Sequence, residues 1–154
     1  MSELAGKVIA VLQGKTLATA ESCTGGGIGA ALTSVSGSSA VYCGGVVSYT
    51  NAVKNSLLGV PAALLETVGA VSAEVAEAMA AGVRQLLHTD VAVSVTGLAG
   101  PGGDEFGNPV GTVYIGYADE KQCISLPCLF SGDREAVRAQ AIDTALAFVL
   151  KHNE

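Results

Sequence analysis

The residues best suited to chemistry lie in Thr19-Ala20-Glu21-Ser22-Cys23-Thr24-Gly25-Gly26-Gly27, where a short apolar run ends in hydroxyls and glycines just before Ile28-Gly29-Ala30-Ala31-Leu32. The pattern reads as a strand-to-helix turn that presents a serine. N–H groups at the start of a helix lack internal partners, and glycines let an anion or a reacting carbonyl come close to the main chain. Ser22 is therefore a candidate nucleophile beside an anion site built from Thr24, Gly25 and Gly26. The plainer reading is that Ser22 or Thr24 caps the helix.

A serine needs a base before it can attack at neutral pH, and a lysine desolvated in a pocket can be that base. Tyr49 and Lys54 fall at the far end of the β-rich run Val41–Tyr49 and on the short helix after it, near the strand ends where open α/β sheets place ligands. To serve, Lys54 must fall from about 10.4 to roughly 7–8, at a cost on the order of 4 kcal/mol. Tyr49 would relay the proton. The competing reading puts Lys54 on a solvated helix face.

Arg134 and Arg138, four apart at the start of the last helix, suit phosphate or carboxylate, and equally suit pairing with Asp133 or Glu135. His88 ends a helix and His152 sits in the tail, which argues against a Ser-His-Asp mechanism. Asp104 and Glu105 are a weak metal signal in a loop. Cys23, Cys43, Cys123 and Cys128 show no Cys-x-x-Cys spacing and read as mostly buried free thiols. No metal or organic cofactor is expected.

At 154 residues the chain fits one domain, 1–154, burying about 68–70% of its unfolded surface. Charged residues are only 14%, against about 25% in an average domain, which predicts a homo-oligomer that covers an apolar face. A net charge of −6 without a Lys/Arg cluster excludes a nucleic-acid backbone as ligand, while a small anion held by one or two cations remains compatible. The amino terminus lacks a signal-peptide pattern and no apolar run reads as a membrane span, so the expected setting is cytoplasmic and away from membranes.

The positioning elements follow from periodicity. Leu4, Val8, Val11 and Leu12 predict a first helix; Thr16–Glu21 a strand; 26–34 a helix; Val41–Tyr49 a strand with a bulge or close approach at its glycine pair. Thr50 or Asn51 caps a short helix ending at Gly59, and Pro61 opens the next as its first residue. Ser72 caps a long helix that stops near His88, and Val91–Val95 is a buried central strand. Thr96–Pro109 reads as the longest loop, 110–117 and 122–130 as a hairpin, and a final helix is capped at Ser131 or Asp133. The architecture is a single-domain α/β/α sandwich with a mixed β-sheet.

Taken in order, Ala20-Glu21-Ser22-Cys23-Thr24-Gly25-Gly26, Gly45–Asn51 with Lys54, Gly69-Ala70-Val71-Ser72, Thr96–Gly103, Pro109–Val113 and Phe130-Ser131-Gly132-Asp133-Arg134 resemble the CinA carboxy-terminal-domain family over nearly the whole chain. Its characterised members are nicotinamide-mononucleotide deamidases. The resemblance implies hydrolysis of nicotinamide mononucleotide to nicotinic acid mononucleotide and ammonia, within pyridine-nucleotide salvage. It maps the nucleophile to Ser22, its supports to Tyr49 and Lys54, and substrate contacts to Thr96, Gly97 and an arginine of the last helix. Arg134 fits the Gly-Asp-Arg block directly, and Arg138 is the second candidate. Larger family members carry a further amino-terminal domain similar to molybdopterin-binding proteins, whose activity is not carried over. The rival expectation is a non-catalytic nucleotide-binding or partner-binding module of the same fold.

Overall fold

Alternation along two central strands sorts the side chains into two cores. In the computed structural model, which describes residues 2–154, β1 (Leu17–Glu21) and β3 (Val91–Gly97) run parallel, with Leu17 opposite Val91 and Glu21 opposite Val95. Successive strand side chains face opposite ways. Leu17, Val91, Val93 and Val95 thus join Val8, Leu12, Ile28 and Leu146 on one face. Ala18, Ala20 and Ala92 join Leu58, Val75, Met79 and Val83 on the other.

Helices α1 (Ser2–Val11), α2 (Gly27–Thr33) and α6 (Arg134–Lys151) cover the first face. Helices α3 (Asn51–Leu58), α4 (Ala62–Thr67) and α5 (Ala73–Leu87) cover the second. With β2 (Tyr42–Val47), β4 (Thr112–Ala118) and β5 (Cys123–Leu129), the strands lie in the order β2-β1-β3-β4-β5. The first three are parallel, and β4 and β5 are antiparallel to their neighbours, giving the expected mixed-sheet sandwich.

Topology fixes where a ligand can go. The chain leaves β1 through α2 on one face to reach β2, then crosses through α3, α4 and α5 on the opposite face to reach β3. Connections that diverge in this way open a crevice at the carboxyl ends of the parallel strands. Ser22 follows β1, Tyr49 follows β2, and Thr96-Gly97 ends β3.

The second face is lined by small residues so that α5 can lie close. Ser94 Oγ donates to the Ala76 carbonyl at 2.6 Å, and a Cβ at Gly116 of β4 would collide with that same carbonyl. The cap of α5 is Ser72, accepting from Val75 N–H, and that of α6 is Asp133, accepting from Ala136 N–H.

Several expectations shift. β3 runs on through Thr96 and Gly97, which pair with Tyr114 and Val113, so the following loop begins later than the glycine-rich composition indicated. β4 begins only at Thr112, because Gly111 takes φ +96°, outside the extended range of a strand; a Cβ there would also meet the Phe130 carbonyl, which keeps the position glycine. Pro61 is the residue before α4 rather than its first, with extended ψ of 131°. The expected bulge is present: the register slips between Leu17↔Tyr42 and Ala18↔Gly44. Only Cys23 is buried; Cys43 and Cys123 are exposed and Cys128 is half-buried, since all three lie on the edge strands β2 and β5.

Gly116→Ala should lower unfolding stability by about 3 kcal/mol, because its methyl has no space under rigid α5 backbone. Urea unfolding checks this; an unchanged midpoint would mean that α5 does not pack as close as described.

Candidate active site

A single turn separates β1 from α2, and two opposite charges hold it. Glu21, only 2% exposed, accepts from Thr24 Oγ1 at 2.7 Å, Ile28 N–H at 2.8 Å and Gly29 N–H at 3.0 Å. The donors that open α2 are thereby spent on an internal carboxylate. The expected anion site at this helix start is filled by the protein itself. From α6, Arg138 donates Nε to the Cys23 carbonyl at 3.0 Å and a terminal nitrogen to the Thr24 carbonyl at 3.2 Å.

This clamp orients the peptide groups next to Ser22. C=O and N–H point oppositely in a trans peptide, so fixing the Cys23 carbonyl on Arg138 aims the Thr24 N–H the other way. Gly25 N–H closes the turn onto the Ser22 carbonyl at 3.1 Å, whereas the N–H groups of Cys23 and Thr24 have no acceptor among the described residues. Gly25 and Gly26 adopt φ +57° and +104°, the left-handed values that let so tight a turn enter a helix.

Lys54 reaches Ser22 from the other side of the sheet. Thr50 caps α3 by accepting from Val53 N–H, and Gly59 ends it at φ +70°, which fixes the helix phase that turns Lys54 inward. The side chain is 1% exposed, which excludes the solvated-face reading. Its Nζ lies 2.9 Å from Ser22 Oγ, 2.8 Å from the Ser48 carbonyl and 3.3 Å from the Tyr49 carbonyl. No carboxylate among the described residues forms an ion pair with it. Burial pushes its ammonium down from 10.5 to about 8.

A neutral amine keeps two hydrogens and one lone pair. Two carbonyls are available for the hydrogens, which leaves the lone pair for the Ser22 hydroxyl proton. The neighbouring Cys23 is not activated as a thiolate: burial raises its thiol to about 11, so it stays protonated near neutrality.

Ser22 and Lys54 open onto a cavity of about 710 Å³ whose other lining residues include Tyr49, Thr96, Gly97, Ala99, Phe106 and Arg134. Thr96 Oγ1 donates to the Ala70 carbonyl at 2.8 Å, tying the end of β3 to the segment before α5. Arg134 donates to the Gly100 carbonyl at 2.7 Å and to Tyr49 Oη at 3.2 Å, with its guanidinium on the cavity wall.

The sequence-derived site therefore divides. Ser22, Tyr49, Lys54, Thr96, Gly97 and Arg134 are brought together, while Thr24, Gly25, Gly26 and Arg138 do not line the cavity. Thr24 is fully buried, with its hydroxyl committed to Glu21, and Arg138 is committed to the turn's carbonyls. These four shape the turn that carries Ser22. Tyr49 does not sit between Lys54 and Ser22: those two meet directly, and the Tyr49 hydroxyl turns to Arg134. Neither histidine lines the cavity.

Sequence reasoning missed Glu21 as a structural anchor and Phe106 as a wall. The first was legible as an acidic residue at a predicted strand end ahead of a helix. The second had no signal, because it lies in an irregular loop.

Comparison with known proteins agrees with this fold. The family model described as CinA C-terminal domain matches residues 1–152. A CinA-like protein of Parasynechococcus marenigrum is 56% identical over 133 residues, covering 85% of this chain and 32% of the relative; one from Geobacter sulfurreducens is 52% identical over 134 residues, covering 87% and 32%. The chain thus spans about a third of the length of these curated relatives. Among solved structures, a competence/damage inducible protein of Agrobacterium tumefaciens superposes with TM-score 0.95 at 39% identity, covering 99% of this chain and 95% of that one. A competence damage-inducible protein of Klebsiella pneumoniae gives 0.94 at 38%, covering 97% and 94%. With a family model across nearly the whole sequence and relatives more than half identical, this chain belongs to the CinA C-terminal domain family.

Proposed function

We propose that this protein is an amidohydrolase that removes the carboxamide nitrogen of nicotinamide mononucleotide, with Ser22 as nucleophile and Lys54 as its base. The observation that carries the reading is the buried, carbonyl-held Lys54 amine at 2.9 Å from Ser22 Oγ on the floor of a cavity. A lysine without a counter-ion and lowered to about 8 is neutral in roughly one molecule in ten at pH 7, enough to accept a serine proton.

In the proposed reaction Ser22 Oγ bonds to the carboxamide carbon as its proton passes to Lys54. The carbonyl π pair moves onto oxygen, where the unpartnered N–H of Cys23, the cavity-lining residue that follows Ser22, is a main-chain donor; such a donor is worth about 3–4 kcal/mol. Lys54 then gives its proton to the leaving nitrogen, the C–N bond breaks, and ammonia departs. Water, deprotonated by Lys54, cleaves the ester and restores Ser22. Arg134 supplies the cavity cation for the ligand's phosphate, and Tyr49, bonded to it, orients its guanidinium.

Ammonia release from nicotinamide mononucleotide by purified protein, with chelator present, tests the reading. Ser22→Ala should abolish release while the nucleotide still binds. Release by that variant would overturn the covalent scheme, and binding without release by the parent would favour a nucleotide-binding module.

The pH dependence has a definite sign. The active base is neutral Lys54, so kcat should rise about tenfold per unit below pH 8 and level off above it. A rate that falls between pH 6 and 8 would contradict the assignment. Lys54→Met should lose at least about a hundredfold in kcat.

Linkage gives an independent check. Because its folded pKa is depressed, Lys54 penalises folding fully below about 8, and the penalty fades as pH rises toward 10.5. The stability of Lys54→Met relative to the parent should therefore decline between pH 8 and 10.5. Thermal unfolding across that range measures it, and a constant difference would mean an unshifted lysine.

A further inference from the structure

One wall of the cavity is an aromatic ring that neither the nucleophile nor the phosphate contact uses. Phe106 lines the cavity and remains 39% exposed, although it is a large apolar side chain in an otherwise polar loop. Its position is built. The ring rests directly on the backbone of Gly69, where an added Cβ would come within 2.6 Å of Cδ2 and 2.7 Å of Cε2, and where φ is +83°. Any side chain at position 69 would evict it.

The loop is held in advance. Asp104 Oδ1 accepts from the N–H groups of Phe106 at 3.1 Å and Asn108 at 3.0 Å, and Oδ2 accepts from Asn108 Nδ2 at 2.7 Å. Asn108 Nδ2 also donates to the Val71 carbonyl at 3.3 Å, pinning the loop to the segment that carries Gly69. One side of the ring is thus seated before any ligand arrives.

The surrounding chemistry defines what the exposed part would take. Ala70, Val71 and Leu98 supply apolar lining, while Asp104 and Glu105 bring carboxylates to the same loop. The basic side chains of the cavity, Lys54 and Arg134, come from other elements. An aromatic face bearing a negative quadrupole, beside acidic groups, favours a flat ring that carries positive charge over a neutral one.

We infer that Phe106 is the specificity-determining wall of this site, stacking on the cationic pyridinium ring of the substrate and selecting it over neutral-ring analogues. The inference rests on the ligand named under Proposed function, and it makes the ring's charge, rather than the amide alone, part of recognition. Phe106 is placed here as a binding residue; the reacting atoms belong to Ser22 and Lys54.

Calorimetric titration of the Ser22→Ala protein with nicotinamide mononucleotide and with its reduced, neutral-ring form separates binding from turnover. The two ligands share phosphate, ribose and carboxamide. The Phe106-containing protein should bind the cationic form about tenfold more tightly. Phe106→Leu, which keeps an apolar side chain on Gly69, should bring the ratio to within about twofold, and Phe106→Tyr should retain it. Gly69→Ala, which displaces the ring without removing it, should act like Phe106→Leu.

An undiminished preference in Phe106→Leu, equal affinity of the starting protein for both ligands, or no binding of either would overturn the inference. Ammonia release by the protein with Ser22 intact is assayed alongside: selective binding without release removes the amidase reading and leaves the wall assigned.

Discussion

The structure depends on burying an amine without a counter-ion. Lys54 leaves water for a space where its polar partners are two main-chain carbonyls and one hydroxyl, and a cation so placed is destabilised relative to the neutral base. The fold must supply that environment without collapsing it. It does so by carrying Lys54 on a short, well-capped helix, bringing the Ser48 and Tyr49 carbonyls from the end of β2, and bringing Ser22 from the end of β1. Parallel neighbours β1 and β2 end at the same edge, and this is what makes the meeting possible.

The second buried charge works in the opposite sense. Glu21 stays among donors that are obligatory in any case: the opening N–H groups of α2 and the Thr24 hydroxyl. It strengthens the helix start and also closes it to outside anions. Arg138 completes the arrangement from α6 by taking the carbonyls of the same turn. A carboxylate for the N–H groups and a guanidinium for the C=O groups leave few peptide orientations open, and Ser22 sits on the segment between them. Rigid placement of this kind would reduce the reorganisation required in the attack proposed for Ser22.

Much of this was legible in the sequence, for identifiable reasons. The continuous apolar run at Val91, the cap at Ser72 and the Asp133 start of α6 reflect local rules that tertiary packing did not override. Ser22 and Lys54 could be nominated as a pair because a serine turn and a lysine after a strand both map to strand ends. Roles within the site were less legible. Arg134 and Arg138 are four apart on one helix, yet one faces the cavity and the other grips a turn, a distinction set by which loop lies beneath each. Thr96 and Gly97 read as loop because glycine-rich sequence follows them, although pairing with β4 keeps them in the strand. Cysteine exposure depended on which strands form the sheet edges, and strand order is not local information.

The protonation of Lys54 can be observed directly. With lysine side-chain nitrogens isotopically labelled and Lys54 assigned by comparison with Lys54→Met, NMR titration from pH 6 to 11 follows its Nζ resonance. A Lys54 that serves as the base should titrate with a midpoint near 8, separated from the other lysines. A midpoint above 10 would mean that Lys54 remains an ammonium at neutral pH, and the Ser22–Lys54 pair would then be a structural hydrogen bond rather than a nucleophile and its base.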